Sequence, residues 1–495
     1  MNRIIFLFFT VSIAVFPIRN IMGKQYGDTP QKIIVAGKID NYGSGRDLEI
    51  TVYRLGFGMD IIYAKTDNAG NFIATFESHI PLDAYIKYKD GFYLLLHPGD
   101  SLFVHFDGKT PALLESVRFG GNAAKINQDA LKFQQMHRPY SINYDKAKYD
   151  KAVKEYNAEQ YLQYLDTIQK KGKEIYDRFV AENDPDNVSK KWALLHIENE
   201  CYREIQMYDY YHKASNKMGH DAPSVVPKGF YDVLCNRLPL DATMFINASG
   251  LFGFHNGFYR YVIDKLKYRE TGGIVGAGKI DNQTISSYIE FIPDPLLLQI
   301  MLTEHFKFSL ERHDVAHYEK FRDVVDTYIK EPFLKEPLHQ KYLQAKQRVK
   351  NPQVYTEALL KEAANLSVNQ VVDEIFQQNK GKVIYVDFWG TWCGPCLAEM
   401  PNSKNVEHEL RNEDVAFVYI CLESEEKQWK AVIDKFQLGG QHYFLSRQQS
   451  GDMRKLFEII GVPFYMLIDK NGVIKEKHHT LSPMFAKDKI IEMLK

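Results

Sequence analysis

Cysteine is scarce in this chain, with five in 495 residues. Cys201, Cys235 and Cys421 stand far apart in the sequence, and only Cys393 and Cys396 are close together. A structural zinc site needs four ligands, usually a second CxxC or a His pair, and neither accompanies this one. Leu397, not His, follows Cys396, which excludes a haem-attachment motif. Neither sign of charge is in excess: 62 Lys and Arg against 63 Asp and Glu leave a formal net charge of −1. That balance gives no electrostatic case for nucleic acid. Beyond an N-terminal stretch, no run approaches the ~18 apolar residues that mark a membrane-spanning helix. Repeats and low-complexity linkers are absent as well. The length, 495 residues, points to roughly three domains.

What is present concentrates near the C-terminus. Trp392-Cys393-Gly394-Pro395-Cys396 follows the apolar run Val383 to Trp389, which reads as a buried parallel strand. Leu397-Ala398-Glu399-Met400 reads as the first turns of a helix. Two cysteines at a strand-to-helix turn form a dithiol that can close as a disulfide. The helix N-terminus offers partial positive charge and free backbone N–H groups. Both favour a thiolate on Cys393, which is the reactive species. Cys396, one helical turn further in, can attack a mixed disulfide formed at Cys393.

The residues around this motif resemble the thioredoxin superfamily, and more narrowly the TlpA/ResA-type thioredoxins of the bacterial cell envelope. The resemblance covers the last quarter of the chain. It rests on Val386-Asp387-Phe388-Trp389 before Trp392-Cys393, on Cys396-Leu397-Ala398-Glu399-Met400-Pro401, and on Gly461-Val462-Pro463 followed by Phe464 to Ile468 and Asp469-Lys470-Asn471-Gly472. It implies a thiol–disulfide oxidoreductase. Asp387, at the end of a buried strand, would accept and return the proton of Cys396, and Glu399 would be a second acid tuning the dithiol. A solvated strand-end Asp and a first-turn Glu held by the helix dipole are the plain alternatives. Pro401 is expected to kink its helix. Pro463 is expected to carry a cis peptide bond. Trp392, Gly394, Pro395, Val462 and Pro463 would shape the substrate groove. A peroxiredoxin-type site would place Thr three residues before the reactive Cys; Gly390 stands there, and Thr391 is one position off. No metal and no organic cofactor is required, because the protein's own disulfide carries two electrons.

The rest of the chain divides by pattern into a multidomain α+β protein. Arg3 and the apolar stretch Ile4 to Phe16 read as a secretory signal over residues 1–23, although no small-x-small cleavage site is evident. Residues 30–115 alternate in strand fashion between turn signals such as Asp67-Asn68-Ala69-Gly70 and Pro98-Gly99-Asp100, which points to a β-sandwich. Residues 122–352 carry helical spacing, for example over Tyr149 to Ala181 and Ser189 to His212, and form a central all-α domain. Residues 355–495 form the thioredoxin-like α/β domain. Gly273-Ile274-Val275-Gly276-Ala277-Gly278-Lys279 nearly spells a phosphate loop, but Ile280 follows where Ser or Thr would bind Mg²⁺, so it reads as a Gly-rich turn. Tyr202, Tyr208, Tyr210 and Tyr211 read as helix packing rather than an aromatic groove. Cys201 and Cys235 are either a disulfide or two buried thiols, and Cys421 is either a buried small hydrophobe or a third redox thiol.

These features point to a periplasmic reductase of protein disulfides, with an upstream membrane electron donor and no stable membrane span once the signal is removed. The upstream domains would select the partner. An envelope scaffold with a passenger dithiol or redox-sensing domain is the competing reading.

Overall fold

The computed structural model describes residues 29–43, 48–218, 223–237, 242–250, 282–352 and 355–495. The proposed signal segment and the Gly-rich run 273–279 lie outside the described residues, as does the side chain of Cys235. The described residues form two compact units. One takes the chain up to residue 250 together with 282–301 and 331–333; the other takes 302–330 and everything from 334 onward.

The first unit opens with eight strands: β1 (Gln31–Asp40), β2 (Leu48–Arg54), β3 (Gly58–Thr66), β4 (Asn71–Ser78), β5 (Leu82–Lys87), β6 (Gly91–Leu96), β7 (Ser101–Asp107) and β8 (Arg118–Gly121). They join in one hydrogen-bonded sheet in the order β6-β5-β2-β3-β4-β1-β7-β8. The alternation in the sequence is the cause: in β4, Phe72, Ala74 and Phe76 are buried while Asn71, Ile73 and Thr75 face out. The turn between β3 and β4 closes on Asp67, whose Oδ1 accepts from the N–H groups of Ala69 and Asn71 at 2.9 Å each.

Helices Ala124–His137, Lys146–Glu155, Ala158–Asn183 and Asn187–Ser215 follow. The stretch Tyr149 to Ala181 is thus two helices, because Asn157 caps the second one in a reciprocal box with Gln160. Tyr208 is a core residue, stacked on Tyr161 with ring centroids 4.4 Å apart, whereas Tyr210 is largely exposed. Cys201 is buried, with its thiol 3.7 Å from the Leu165 carbonyl.

The second unit contains the six-stranded sheet β14-β13-β10-β11-β12-β9. Its strands are β9 (Ala358–Lys361), β10 (Val383–Trp389), β11 (Val415–Cys421), β12 (Gly440–Phe444), β13 (Phe464–Ile468) and β14 (Ile474–His478). β10 pairs in parallel with β11 and antiparallel with β13. Every residue of β10 is buried, as a continuous apolar run with helices on both faces requires. On one face Val383, Tyr385 and Trp389 pack against helices Gly394–Glu409, Glu426–Phe436 and Pro483–Leu494. On the other face Ile384, Val386 and Phe388 pack against Val368–Gln378 and Arg447–Phe457. The helix Gly394–Glu409 continues through Pro401. The helical residues 302–330 and 334–350 belong to this unit too. Among the described residues, no helix is long and apolar enough to cross a membrane.

Inside the first unit, one buried carboxyl ties sheet to helix. Asp83 on β5 is fully buried and accepts from Trp192 Nε1 at 3.2 Å, from the Ser249 N–H at 2.8 Å and from Ser249 Oγ at 2.5 Å. Asp83→Ala would strand these donors away from water. Each unsatisfied group costs ~1–3 kcal/mol, so the variant should lose about 2–5 kcal/mol, read as a lower urea midpoint for this unit.

Candidate active site

The dithiol sits where β10 ends and the helix Gly394–Glu409 begins. Cys393 is the N-cap of that helix, and Cys393 and Cys396 are joined as a disulfide. The Cys396 N–H points at Cys393 Sγ from 3.1 Å. A backbone donor and the positive end of the helix therefore both face the sulfur on which negative charge would develop. Cys393 is 3% exposed and Cys396 2%. Pro395 between them is exposed, while Trp392 and Gly394 are half-buried. Trp392 is held by its Nε1, which donates to the Leu422 carbonyl at 3.3 Å.

Strand periodicity sets the place of Asp387. It lies on β10 between Tyr385 and Trp389, on the face that carries both cysteines. It is 2% exposed, and its Oδ1 has no hydrogen-bond partner among the described residues. Burial, with the charge of Glu399 as a second cause, pushes Asp387 up to about 8. The solvated strand-end alternative is therefore set aside. Glu399 is half-buried on the following helix and accepts from Asn402 Nδ2 at 3.0 Å. The Val462–Pro463 peptide is cis. Pro463 and Val462 are half-buried and lead directly into β13, and His479 Nδ1 lies 2.7 Å from the Pro463 carbonyl.

The fold adds groups that spacing alone did not single out. Tyr465 of β13 stands opposite Asp387 in the ladder, and its hydroxyl is buried with no partner among the described residues. Tyr419 of β11 is the register neighbour on the other side; its hydroxyl donates to Glu407 Oε2 at 3.3 Å. Burial pushes Glu407 up to about 7. Asp387 is thus flanked in the sheet by Tyr465 and Tyr419, and Tyr419 reaches on to the half-buried Glu407. A single Tyr in each of the apolar strands β11 and β13 was the available signal. Ile460, close before Val462 in the chain, is 94% exposed. Cys421 pairs with Trp389 in the ladder and is wholly buried, and burial pushes its thiol up to about 12. That leaves it without thiolate near neutrality, so it fits the buried-hydrophobe reading. Among the described residues, no three or more His, Cys, Asp or Glu side chains are grouped to hold a metal.

Asp387 gives a stability test. Its acid is harder to ionise in the fold than in the unfolded chain, so stability falls as pH rises through 3.8, and the loss is complete above about 8. Asp387→Asn should therefore leave stability unchanged at acid pH. Near neutrality it should gain on the order of 2–4 kcal/mol, since each pKa unit is worth ~1.4 kcal/mol. Urea denaturation across pH measures this.

Residues 381–474 match the family model described as thioredoxin-like. The chain is 28% identical over 120 residues to the thiol-disulfide oxidoreductase ResA of Oceanobacillus iheyensis, a match covering 23% of this chain and 61% of that protein. It is 25% identical over 114 residues to the sporulation thiol-disulfide oxidoreductase A of Bacillus subtilis, covering 23% of this chain and 68% of that one. Among solved structures, the thioredoxin domain of a thiol-disulfide oxidoreductase from Bacteroides vulgatus aligns at 22% identity and a TM-score of 0.23, over 24% of this chain and 84% of that one. The first of these matches thus spans under two thirds of its relative's length. The C-terminal part of this chain is a thioredoxin-like domain, and its homologues include ResA-like thiol–disulfide oxidoreductases.

Proposed function

We propose that this protein reduces protein disulfides through Cys393 and Cys396. The observation that carries the reading is a disulfide at a helix N-cap, with a buried carboxyl, Asp387, on the preceding strand. In the reduced enzyme the Cys393 thiolate attacks one sulfur of a substrate disulfide. The S–S bond breaks, one substrate thiolate leaves, and a mixed disulfide forms. Cys396, giving its proton to the Asp387 carboxylate, then attacks Cys393 Sγ. The second substrate thiolate leaves, and the two electrons have passed from enzyme to substrate. A base with a pKa of about 8 is matched to a thiol near neutral pH, which is what efficient proton transfer asks for. Glu399 tunes that acid by its charge. Trp392, Gly394, Pro395, Val462 and Pro463 form the groove, with Ile460 available for apolar contact.

The reducing direction is supported by Gly394-Pro395 between the cysteines, against a superfamily range of about −270 to −120 mV. The enzyme works in the periplasm, exported by the apolar segment Ile4 to Phe16, where an upstream membrane protein re-reduces it. The upstream β and helical domains, residues 30–352, select the client.

Cysteine variants test the roles. Cys393→Ser should abolish turnover of a model disulfide, and Cys396→Ser should accumulate mixed disulfides on non-reducing gels. An active Cys393→Ser together with no trapped species in Cys396→Ser would reverse the assignment. Thiol trapping in cells reads the direction: a dithiol that is mostly reduced at steady state fits a reductase, and a mostly oxidised one fits an oxidase. A second variant tests the base. Asp387→Asn should slow the single-turnover resolution step, with the largest effect around pH 8, where the carboxylate has formed and the thiol is not yet fully ionised. Equal rates in both proteins across the titration would remove Asp387 from the step.

A further inference from the structure

Cys393 is almost wholly covered, although it caps a helix at the end of a sheet, where a reactive thiol has to meet a substrate. A segment outside the minimal thioredoxin-like stretch lies against the residue that follows Cys393. The helix Pro295–Glu311 brings Phe308 onto Gly394, the residue directly after Cys393. A methyl group placed on Gly394 would lie 3.2 Å from Phe308 Cζ and 3.3 Å from Cε2, tighter than ordinary van der Waals contact. The ring is therefore seated on the dithiol loop, and a side chain at 394 would have to push it back by a few tenths of an ångström.

Phe308 is held there from behind. The Arg312 guanidinium lies 5.3 Å from the centre of its ring, and Arg312 Nε is buried with no hydrogen-bond partner among the described residues. The next residue, His313, reaches the Ala431 carbonyl through Nε2 at 3.2 Å. Lys435 Nζ donates to the Glu311 carbonyl at 3.5 Å, and Arg348 pairs with Asp434 at 3.0 Å. Ala431, Asp434 and Lys435 all lie on Glu426–Phe436, a helix that packs on the same sheet face as the dithiol. The segment is thus fastened to the thioredoxin-like fold at several points around one aromatic ring.

We propose that Phe308, backed by Arg312, is a specificity-determining wall of the dithiol site that admits small disulfides and extended peptide segments but excludes a disulfide on the surface of a folded protein. On this proposal an extended segment reaches Cys393 past the ring, whereas a folded surface is held off by it. The consequence for substrates rests on the oxidoreductase reading above; the wall itself does not.

The test separates the two. The reduced full-length protein is alkylated with iodoacetamide and with a bulky polymer-linked maleimide, and modification of Cys393 is followed by peptide mass. In the wild type the bulky probe should be strongly disfavoured relative to the small one. Phe308→Ala should raise the bulky-probe rate about tenfold, the change that ~1.4 kcal/mol of site opening produces, with little effect on iodoacetamide. Phe308→Leu, which keeps an apolar side chain on Gly394, should fall between and guards against misfolding of the alanine variant. The same variants are assayed on a small disulfide, an unfolded disulfide-bonded protein and its folded form, and only turnover of the folded form should rise. Equal bulky-probe rates in wild type, Phe308→Leu and Phe308→Ala overturn the wall. A probe difference without turnover of any disulfide leaves the wall standing and overturns the oxidoreductase reading.

Discussion

A carboxyl group held away from water beside a disulfide is the constraint on which the catalytic unit turns. Burying Asp387 is unfavourable, and its pKa near 8 expresses that cost. The fold has to offset it with apolar packing on both faces of β10, which carries no exposed residue. The same burial makes the group useful, because an acid at its ordinary pKa would be too weak a base to take a thiol proton at neutral pH. Stability and reactivity are set against one another in a single side chain.

The two sulfurs meet different surroundings because of where the helix starts. Cys393, at the cap, faces a backbone N–H and the positive end of the helix. Cys396, one turn inward, has Asp387 in the same core layer. One element boundary therefore gives the two sulfurs different surroundings, as the proposed division of roles requires. Tyr419, bonded to Glu407, flanks Asp387 in the sheet on one side and Tyr465 on the other.

Upstream, the first unit is organised by a different buried acid. Asp83 gathers an indole N–H, a backbone N–H and a hydroxyl, and its oxygens are occupied, whereas Asp387 keeps an oxygen with no partner among the described residues. A fully bonded buried carboxyl serves structure; an unsatisfied one beside a redox pair serves chemistry.

The dithiol, its strand-to-helix turn and the proline strand were legible in the sequence, because each depends on neighbours within a few residues: an apolar run, a CxxC, a Pro before a second apolar run. The eight-strand alternation of the first unit was legible for the same reason, since exposure in β4 repeats every second residue. Strand order was not legible, because β10 pairs with β13, some 80 positions on, and hydrogen bonding between distant segments leaves no local trace. The break at Asn157 leaves no trace in the apolar spacing, which continues across it, and only the cap with Gln160 marks it. By itself the sequence determined which atoms could exchange electrons. The tertiary structure alone decided that Asp387 loses its water, that Tyr419 and Glu407 join it, and that Phe308 lies on Gly394. Burial and contact belong to the packed chain, and a proton affinity or an access route exists only once distant segments have closed around the site.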